Sequence, residues 1–255
     1  MNQSSWPAGK RACVSLTYDD ALPRHFQEVA PTLERRGLRG TFYVPISGGL
    51  LDHWDAWKAV AADGHELGNH TIFHPCRKDG EIYDWIDDGF DLKGYSLNRL
   101  RQELETANKV LSLADGKTVR SYGNTCGNTT IGRPGAEVSM EPVVSELFVA
   151  ARGHHRSDRS PALPGTALDM CDIGYVRGDN QTIAQFEGDL AEALRLGGWL
   201  VYTFHDVTPE PRRATVDRAE HERLLDFLAR ETNDFWVVPV VEAALWLRKG
   251  SSKAC

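Results

Sequence analysis

The sequence contains, from residue 12 to residue 20, the stretch Ala12-Cys13-Val14-Ser15-Leu16-Thr17-Tyr18-Asp19-Asp20. Its first residues are apolar or β-prone, which predicts a strand, and the two carboxylates stand where that strand ends. The stretch Gly198-Trp199-Leu200-Val201-Tyr202-Thr203-Phe204 repeats this arrangement and runs directly into His205. Barrels of alternating strands and helices collect their functional groups at the carboxyl ends of the strands, so this arrangement favours an α/β barrel.

A second pattern consists of two histidines one helical repeat apart, His70 and His74. On a helical turn this spacing places both imidazoles on one side, and Asp20 can add an anionic ligand from the end of the first strand. Two histidines and one carboxylate leave a coordination position open, as in catalytic rather than structural zinc sites. Taken alone, an Asp-Asp pair is usually a turn or a cap, and such a histidine pair is usually solvated. Their joint occurrence favours a metal site with bound water and hydrolytic chemistry.

These residues resemble the motifs of the polysaccharide deacetylases, which form carbohydrate esterase family 4 and share the NodB homology domain. Thr17-Tyr18-Asp19-Asp20 is similar to the family's first motif, Thr-Phe-Asp-Asp, and His70-Thr71-Ile72-Phe73-His74 to its second, His-Ser/Thr-x-x-His. The late strand that ends at His205 also agrees. The resemblance covers residues 10–247 and implies a single domain there, with short tails at 1–9 and 248–255. The implied fold is a distorted (β/α) barrel of about seven parallel strands with surrounding helices.

The resemblance also implies a role for each matching residue. Asp20, His70 and His74 would bind a divalent metal. Asp19 would be the general base that takes a proton from the metal-bound water, and His205 would be the general acid. The residue types suit this chemistry, because a divalent metal lowers the pKa of its water and a histidine can protonate an amide leaving group near neutral pH. Zinc fits this ligand set, with cobalt or nickel as alternatives.

The third family motif, Arg-Pro-Pro-Tyr-Gly, is replaced here by Gly123-Asn124-Thr125-Cys126-Gly127, which contains no arginine. In the family this arginine orients the base. Arg152 is the candidate replacement, because it follows an apolar run and would reach the barrel mouth; a structural ion pair is the alternative. The N–H group that binds the oxyanion would fall near Thr125 or Cys126. The fourth motif, Asp-x-x-x-Trp in the family, cannot be placed, so the partner of His205 stays open.

Two segments are candidates for substrate contacts. Residues 77–95 follow the second histidine and combine Tyr83 and Trp85 with acidic residues and glycines. Aromatic rings beside a catalytic cleft can stack on sugar faces, whereas the alternative is a long surface loop pinned by its own aromatics. In residues 153–161, His154 is a candidate for the rim of the substrate site, although adjacent histidines in a polar loop are more often solvated.

The composition excludes several classes of protein. With 255 residues, 41% hydrophobic and 25% charged, the chain has the composition of one globular barrel domain. The net charge of −7 argues against nucleic acid or an anionic membrane as a partner and is compatible with a neutral acetylated glycan. The chain contains no apolar run of the roughly 20 residues that cross a bilayer, and its first residues lack a signal core. We therefore expect a cytoplasmic protein, or a mature secreted chain without its signal.

The cysteines are odd in number and lack paired spacing, which predicts free thiols rather than a disulfide framework. The five positions are Cys13, Cys76, Cys126, Cys171 and Cys255. Of these, Cys126 lies in the presumed site loop, and we expect it to be a small packing residue because a metal-bound water makes a thiol nucleophile unnecessary.

Apolar periodicity predicts strand-helix units along the chain. Strands are predicted at 40–44 and 235–241, and helices at 23–36 with Pro31 inside it, 54–62, 96–113 with Ser96 as N-cap, 182–196, 217–231 and 241–247. The sequence contains neither an internal repeat nor a low-complexity tract.

We therefore expect an enzyme, a metal-dependent hydrolase that removes acetyl groups from N-acetylated, in preference to O-acetylated, sugars. One alternative is a metal-dependent amidase or deformylase that acts on a small non-polymeric amide, since the same metal and base could attack other amides. A second alternative is a non-catalytic carbohydrate-binding relic, which the altered third motif would explain. The sequence indicates neither the oligomeric state nor the particular glycan.

Overall fold

The computed structural model describes residues 6–164, 168–210 and 212–250. Its strands and helices alternate along most of the chain. The strands are β1 (Ala12–Asp19), β2 (Thr41–Val44), β3 (Glu66–Asn69), β4 (Ser121–Gly123), β5 (Thr130–Ile131), β6 (Val138–Ser139), β7 (Ala150–His155), β8 (Ile173–Arg177), β9 (Trp199–Phe204), β10 (Asp206–Thr208), β11 (Thr215–Asp217) and β12 (Phe235–Val237). The helices are α1 (Ala30–Glu34), α2 (Trp54–Ala62), α3 (Leu97–Asp115), α4 (Glu141–Leu147), α5 (Ile183–Leu196), α6 (Arg218–Arg230) and α7 (Val240–Gly250).

The parallel strands are hydrogen-bonded in the order β1, β2, β3, β4, β7, β8, β9. Pairing of β9 with β1 closes this sheet into a barrel. β1 pairs with β2 through residues 17–19 and with β9 through residues 13–18. The short strand β12 pairs with residues 12–14, at the end of β1 that β2 does not reach. The prediction of a distorted (β/α) barrel of about seven parallel strands is confirmed.

The core lies between the barrel strands and the surrounding helices. Every residue of β1 and of β9 is buried, as expected for parallel strands covered on both faces. Trp57 of α2, Leu190 of α5 and Leu224 of α6 are buried in the same apolar cluster as β1. Full burial of such an aliphatic side chain stabilises the fold by about 1.5–3 kcal/mol. The rigid barrel therefore fixes the positions of the residues that follow its strands.

Most helix predictions hold to within a few residues. α2 has the predicted bounds, and α3 begins after Ser96, whose Oγ accepts a hydrogen bond from the Arg99 backbone N–H at 3.2 Å. The predicted helix over 23–36 is divided into a π-helical turn, His25–Val29, and the short α1. Pro31 lies in the first turn of α1, where its missing N–H costs no hydrogen bond. Within the described residues, the helices are too short or too polar to span a membrane.

Two segments differ from the predictions. The strand predicted over 235–241 ends at Val237, and α7 begins at Val240. His154 and His155 belong to β7 rather than to a polar loop, although both are exposed.

Residues 77–95 contain only short 3₁₀ turns, with the rings of Phe73 and Phe90 stacked at a centroid distance of 4.7 Å.

Candidate metal centre and active site

Asp20, His70 and His74 meet at the carboxyl ends of β1 and β3. Asp20 Oδ1 lies 3.0 Å from His74 Nε2 and 3.5 Å from His70 Nε2. The ligand-type atoms of the three residues lie within 4.8 Å of one another. His70 Nε2 is buried and has no hydrogen-bond partner among the described residues. Buried polar atoms are normally paired, so this nitrogen, facing a carboxylate and a second imidazole, fits a metal ion.

The two histidines do not lie on a helical turn, and that prediction was wrong. Residues 70–75 form a bend after β3, with Thr71 and His74 in the left-handed region at φ 69° and φ 54°. Asn69 Oδ1 accepts a hydrogen bond from the Thr71 N–H at 2.8 Å, and Thr71 Oγ1 accepts one from the His74 N–H at 2.9 Å. Asp20 is also left-handed, at φ 74°. Such backbone strain in residues other than glycine is typical of functional sites.

Neighbouring groups fix the position of this bend. His70 Nδ1 lies 2.7 Å from the carbonyl oxygen of Gly123, a hydrogen bond that leaves Nε2 pointing to Asp20. The buried Glu103 of α3 accepts hydrogen bonds from the N–H groups of Ile72 and Phe73 at 3.1 and 3.2 Å. The two imidazoles are therefore held by contacts from α3 and β4, which lie far away in sequence.

Asp19 and Arg152 form a buried bidentate ion pair. Arg152 Nη1 and Nη2 donate to the two Asp19 carboxylate oxygens at 2.7 and 2.6 Å. Nη1 also donates to the hydroxyl groups of Thr17 and Thr203. Burial would raise the pKa of Asp19, but the charge and hydrogen bonds of Arg152, with a contribution from His70, hold that pKa below its ordinary value. Arg152 thus contacts Asp19. It lies within β7, whereas the sequence predicted that it follows a strand-like run.

The partner of His205 is Asp179. His205 directly follows β9, its Nδ1 lies 2.6 Å from Asp179 Oδ2, and its backbone N–H donates to Asp179 Oδ1 at 3.0 Å. Burial lowers the pKa of His205, but the hydrogen bond and charge of Asp179, with the charges of Asp19 and Asp20, raise it to about 9. Sequence reasoning missed Asp179. It stands two residues after β8, so the strand-end rule that found Asp19 and Asp20 would also have found it.

A disulfide joins Cys76 to Cys126, so the prediction of free thiols was wrong for this pair. The two cysteines are 50 residues apart, and their Cα atoms lie 5.8 Å apart. They meet because the bend after β3 and the turn after β4 both reach the barrel mouth, a proximity that sequence spacing does not reveal. Cys126 is therefore a covalent link and not simply a small packing residue.

The structure also shows the surroundings of Thr125 and of the cysteines outside the disulfide. Thr125 is buried, and its hydroxyl group donates to the Pro75 carbonyl oxygen. Cys13 is a buried free thiol, and Cys171 is partly buried. Cys255 lies outside the described residues.

A cleft of about 450 Å³ opens above these side chains. Asp19, Asp20, His74, Arg152 and His205 line it together with Cys126, Tyr83 and Trp85. The Trp85 side chain is 62% exposed, and its ring centroid lies 5.7 Å from that of His74. His154 does not line the cleft; it is exposed, and its Nδ1 lies 2.9 Å from Asp172. Of the other predicted site residues, His70 lies against Asp20 and Thr125 is buried, and neither lines the cleft.

The closed barrel and the polar cluster at its mouth define a (β/α)-barrel protein with a polar cleft at the carboxyl ends of its strands. The sequence profile of the polysaccharide deacetylases matches residues 7–130, just under half of the chain. A chitooligosaccharide deacetylase from Rhizobium leguminosarum bv. trifolii is 36% identical over 63 residues, which are 24% of this chain and 29% of that protein. The matched segments span less than a third of the length of the curated relatives.

Solved structures share the fold over nearly the whole chain. A Mycobacterium smegmatis protein assigned to the polysaccharide deacetylases is 18% identical, with a TM-score of 0.63 over 98% of this chain and 95% of that one. PuuE allantoinase is 15% identical, with a TM-score of 0.63 over 100% of this chain and 96% of that one. At these identities the likeness is one of fold.

Proposed function

We propose that the protein is a metal-dependent hydrolase that removes acetyl groups from N-acetylated sugars or polysaccharides. The observation that carries this proposal is the grouping of Asp20, His70 and His74 beside the ion pair of Asp19 and the paired His205. A metal-ligand set, a carboxylate base and a histidine acid in one cleft are the parts that amide hydrolysis needs.

Asp20, His70 and His74 would hold the metal, and we propose zinc, with cobalt or nickel as alternatives. A divalent ion in this place would lower the pKa of water and polarise the acetyl carbonyl group. The described residues contain a second group of ligand types, His74 with Cys76 and Cys126. Both sulfurs of that group are in the disulfide, so it offers no thiolate to a metal.

The proposed roles of Asp19 and His205 follow from their partners. Arg152 keeps Asp19 ionised, so its carboxylate can accept a proton from the attacking water. Asp179 occupies Nδ1 of His205, which leaves Nε2 to donate a proton to the departing amide nitrogen. With a pKa of about 9, His205 carries that proton at neutral pH.

The cleft supports a sugar as the substrate. Its volume of about 450 Å³ suits a sugar unit and its acetyl group. Trp85 offers an exposed aromatic face beside His74, and aromatic faces pack well against the apolar face of a sugar ring. The tryptophan therefore gives a reason to favour a carbohydrate over a small polar amide.

A hydrolase of a small amide is the second candidate, and the likeness to PuuE allantoinase is the observation that favours it. Because that likeness covers the whole chain, the barrel alone does not distinguish the two activities. The match of residues 7–130 to the polysaccharide deacetylase profile and the exposed Trp85 favour the sugar substrate.

Acetate release tests the proposal. The protein is incubated with a chelator, then assayed with N-acetylglucosamine oligomers, acetylated xylan and peptidoglycan fragments, before and after zinc or cobalt is added. Acetate release that depends on added metal, and that Asp20→Ala abolishes, would support the proposal. Formate or ammonia from small amides would select the second candidate. Glycan binding with bound metal and without any product would select the carbohydrate-binding relic.

A further inference from the structure

Two arginines, Arg177 and Arg213, line the same cleft as the proposed catalytic groups. Arg177 is the last residue of β8, and Arg213 lies in the turn before β11. Both are exposed. Among the described residues, neither guanidinium group has an ion pair or hydrogen bond, whereas Arg101 and Arg159 pair with carboxylates. The cleft thus presents two cations that have no ion-pair partner in the described part of the chain.

The carboxylates of the cleft do not need these two charges. Asp19 is paired with Arg152, and Asp179 with His205. Asp20 faces the imidazoles of the proposed metal site. Each acidic residue that lines the cleft is therefore already matched by another group.

Arg177 and Arg213 are the exposed charged side chains among the residues that line the cleft. Glu81 and Asp84 lie on the segment that contributes Tyr83 and Trp85, but neither lines the cleft. The chain as a whole carries a net charge of −7, so a bound anion would gain nothing from the overall field. Apart from the proposed metal and His205, the exposed positive charges that could attract an anion in this cleft are those of Arg177 and Arg213.

We propose that the cleft selects an acetylated sugar that bears an anionic group, a carboxylate or a phosphate, which Arg177 and Arg213 bind. This inference rests on the proposed function, and it names the class of sugar. The planar guanidinium group matches the oxygen geometry of both anions and forms charge-assisted hydrogen bonds with them. The neighbouring aromatic rings would contact the sugar ring, and the anionic substituent would lie toward β8 and the turn before β11.

Matched ligands isolate the contribution of the charge. N-acetylmuramic acid and its methyl ester have the same ring and the same substituent, but only the acid carries a carboxylate. N-acetylglucosamine 6-phosphate tests a phosphate, with N-acetylglucosamine as its neutral reference. Titrations of the metal-loaded protein followed by ligand-observed NMR give the Kd, and the acetate signal in the same spectra reports turnover.

The variants are Arg177→Gln and Arg213→Gln, with Arg230→Gln as the control. Arg230 is an exposed arginine at the end of α6 that lies outside the cleft. We expect the wild-type protein to bind one of the anionic ligands about tenfold or more tightly than its neutral reference, as for a charged hydrogen bond. Each cleft variant should reduce that ratio several-fold, and Arg230→Gln should leave it unchanged. Higher salt should also reduce the ratio, because it screens exposed charges.

The outcomes separate this inference from the proposed function. Anion preference that the cleft variants reduce would support the inference, whether or not acetate appears. Acetate release with equal Kd values for the charged and neutral ligands would overturn it and leave the deacetylase proposal standing. Equal weakening of charged and neutral ligands in the variants would also overturn it, because the arginines would then act only on the shape of the cleft. The tighter of the two anionic ligands identifies carboxylate or phosphate.

Discussion

Gly123 and Arg152 are register partners on the neighbouring strands β4 and β7. By the resemblance of the motifs, Gly123 stands where the polysaccharide deacetylases have an arginine, and a Cβ atom there would lie 2.7 Å from the ring of Tyr43. A side chain at this position would collide with that ring, whereas Arg152 reaches Asp19 from the adjacent strand. The arginine that faces the carboxylate therefore comes from β7, at the level of Gly123 on the neighbouring strand.

This relationship predicts a large effect for Arg152→Gln. The substitution leaves the Asp19 carboxylate buried without its cation. We therefore expect the free energy of unfolding to fall by about 3–5 kcal/mol. The rate of acetate release should fall about 100-fold or more while the metal stays bound, since a mispositioned base loses most of its catalytic contribution. Urea unfolding, steady-state kinetics and metal analysis measure the three effects.

Two further variants refine that experiment. Arg152→Lys keeps the charge but loses the two parallel hydrogen bonds, so we expect a smaller loss of stability and still a clear loss of rate. Thr203→Val removes a hydroxyl partner of Arg152 and leaves the ion pair with Asp19 in place. A wild-type rate in a folded Arg152→Gln protein would show that the arginine forms only a structural ion pair.

The proposed metal ligands predict a separation between metal binding and turnover. Asp20→Ala and His74→Ala should weaken metal binding by at least about 100-fold, a loss that even outer partners of metal ligands can cause. Asp19→Asn should keep the metal. Its rate of acetate release should fall by a factor of about 10²–10⁴, because the amide cannot accept the proton. Metal content after gel filtration, measured beside activity, tests both statements. Full metal occupancy in Asp20→Ala would refute the ligand assignment.

Asp179 predicts how activity depends on pH. Because the pKa of His205 is raised to about 9, the acid form persists through neutral pH, and the rate should fall as the pH rises through that value. Asp179→Asn removes the main contact that raises this pKa, so the alkaline limb of the profile should move to lower pH by one unit or more, about the size of a lost charged hydrogen bond. Profiles of kcat/KM for both metal-loaded proteins measure the displacement. An unmoved alkaline limb in the variant would show that His205 is not the group that titrates.

The same pair predicts a pH dependence of stability. The folded pKa of about 9 lies above the ordinary value of 6.5, so the protonated histidine stabilises the fold most at pH below 6.5. That contribution is lost as the pH rises through 9. The difference in Tm between the wild-type protein and Asp179→Asn should therefore be larger at pH 6 than at pH 10, conditions chosen on either side of this window. An equal difference at both pH values would contradict the coupling of Asp179 to the charge of His205.

Local sequence patterns predicted much of the fold. The apolar runs of β1 and β9 carry their own strand signal, and the amphipathic spacing and Ser96 cap of α3 are likewise local. The polar residues after β1 and β9 could be assigned to the barrel mouth because parallel strands all end on one side. The strands, helices and caps that short-range sequence patterns specify could therefore be predicted.

The remaining features depend on contacts between distant segments. The bend that carries His70 and His74 is left-handed at two positions and is anchored by Glu103, which no spacing rule within 70–74 reveals. Asp179 becomes the partner of His205 only because β8 and β9 are neighbours in the closed barrel. Sequence spacing likewise does not show that Cys76 and Cys126 lie side by side.

The disulfide predicts that reduction weakens the site as well as the fold. Cys76 follows the proposed ligand His74 by two residues, and Cys126 lines the cleft, so the bond joins the bend that carries His74 to the turn after β4. A link across 50 residues should stabilise the protein by about 4 kcal/mol through the entropy of the unfolded chain.

We therefore expect the double variant Cys76→Ser/Cys126→Ser to unfold at lower urea and to bind added zinc more weakly than the wild-type protein. Cys171→Ser is the matched control, because Cys171 lies outside the Cys76–Cys126 disulfide and does not line the cleft, so the affinity for zinc should stay unchanged. A reductant should reproduce the double variant in the wild-type protein and have no effect on the double variant itself. If reductant and substitution both leave unfolding and zinc affinity as they were, the two loops hold their positions without the covalent bond, and the hydrogen bonds of Glu103 and Gly123 must suffice to hold the histidines.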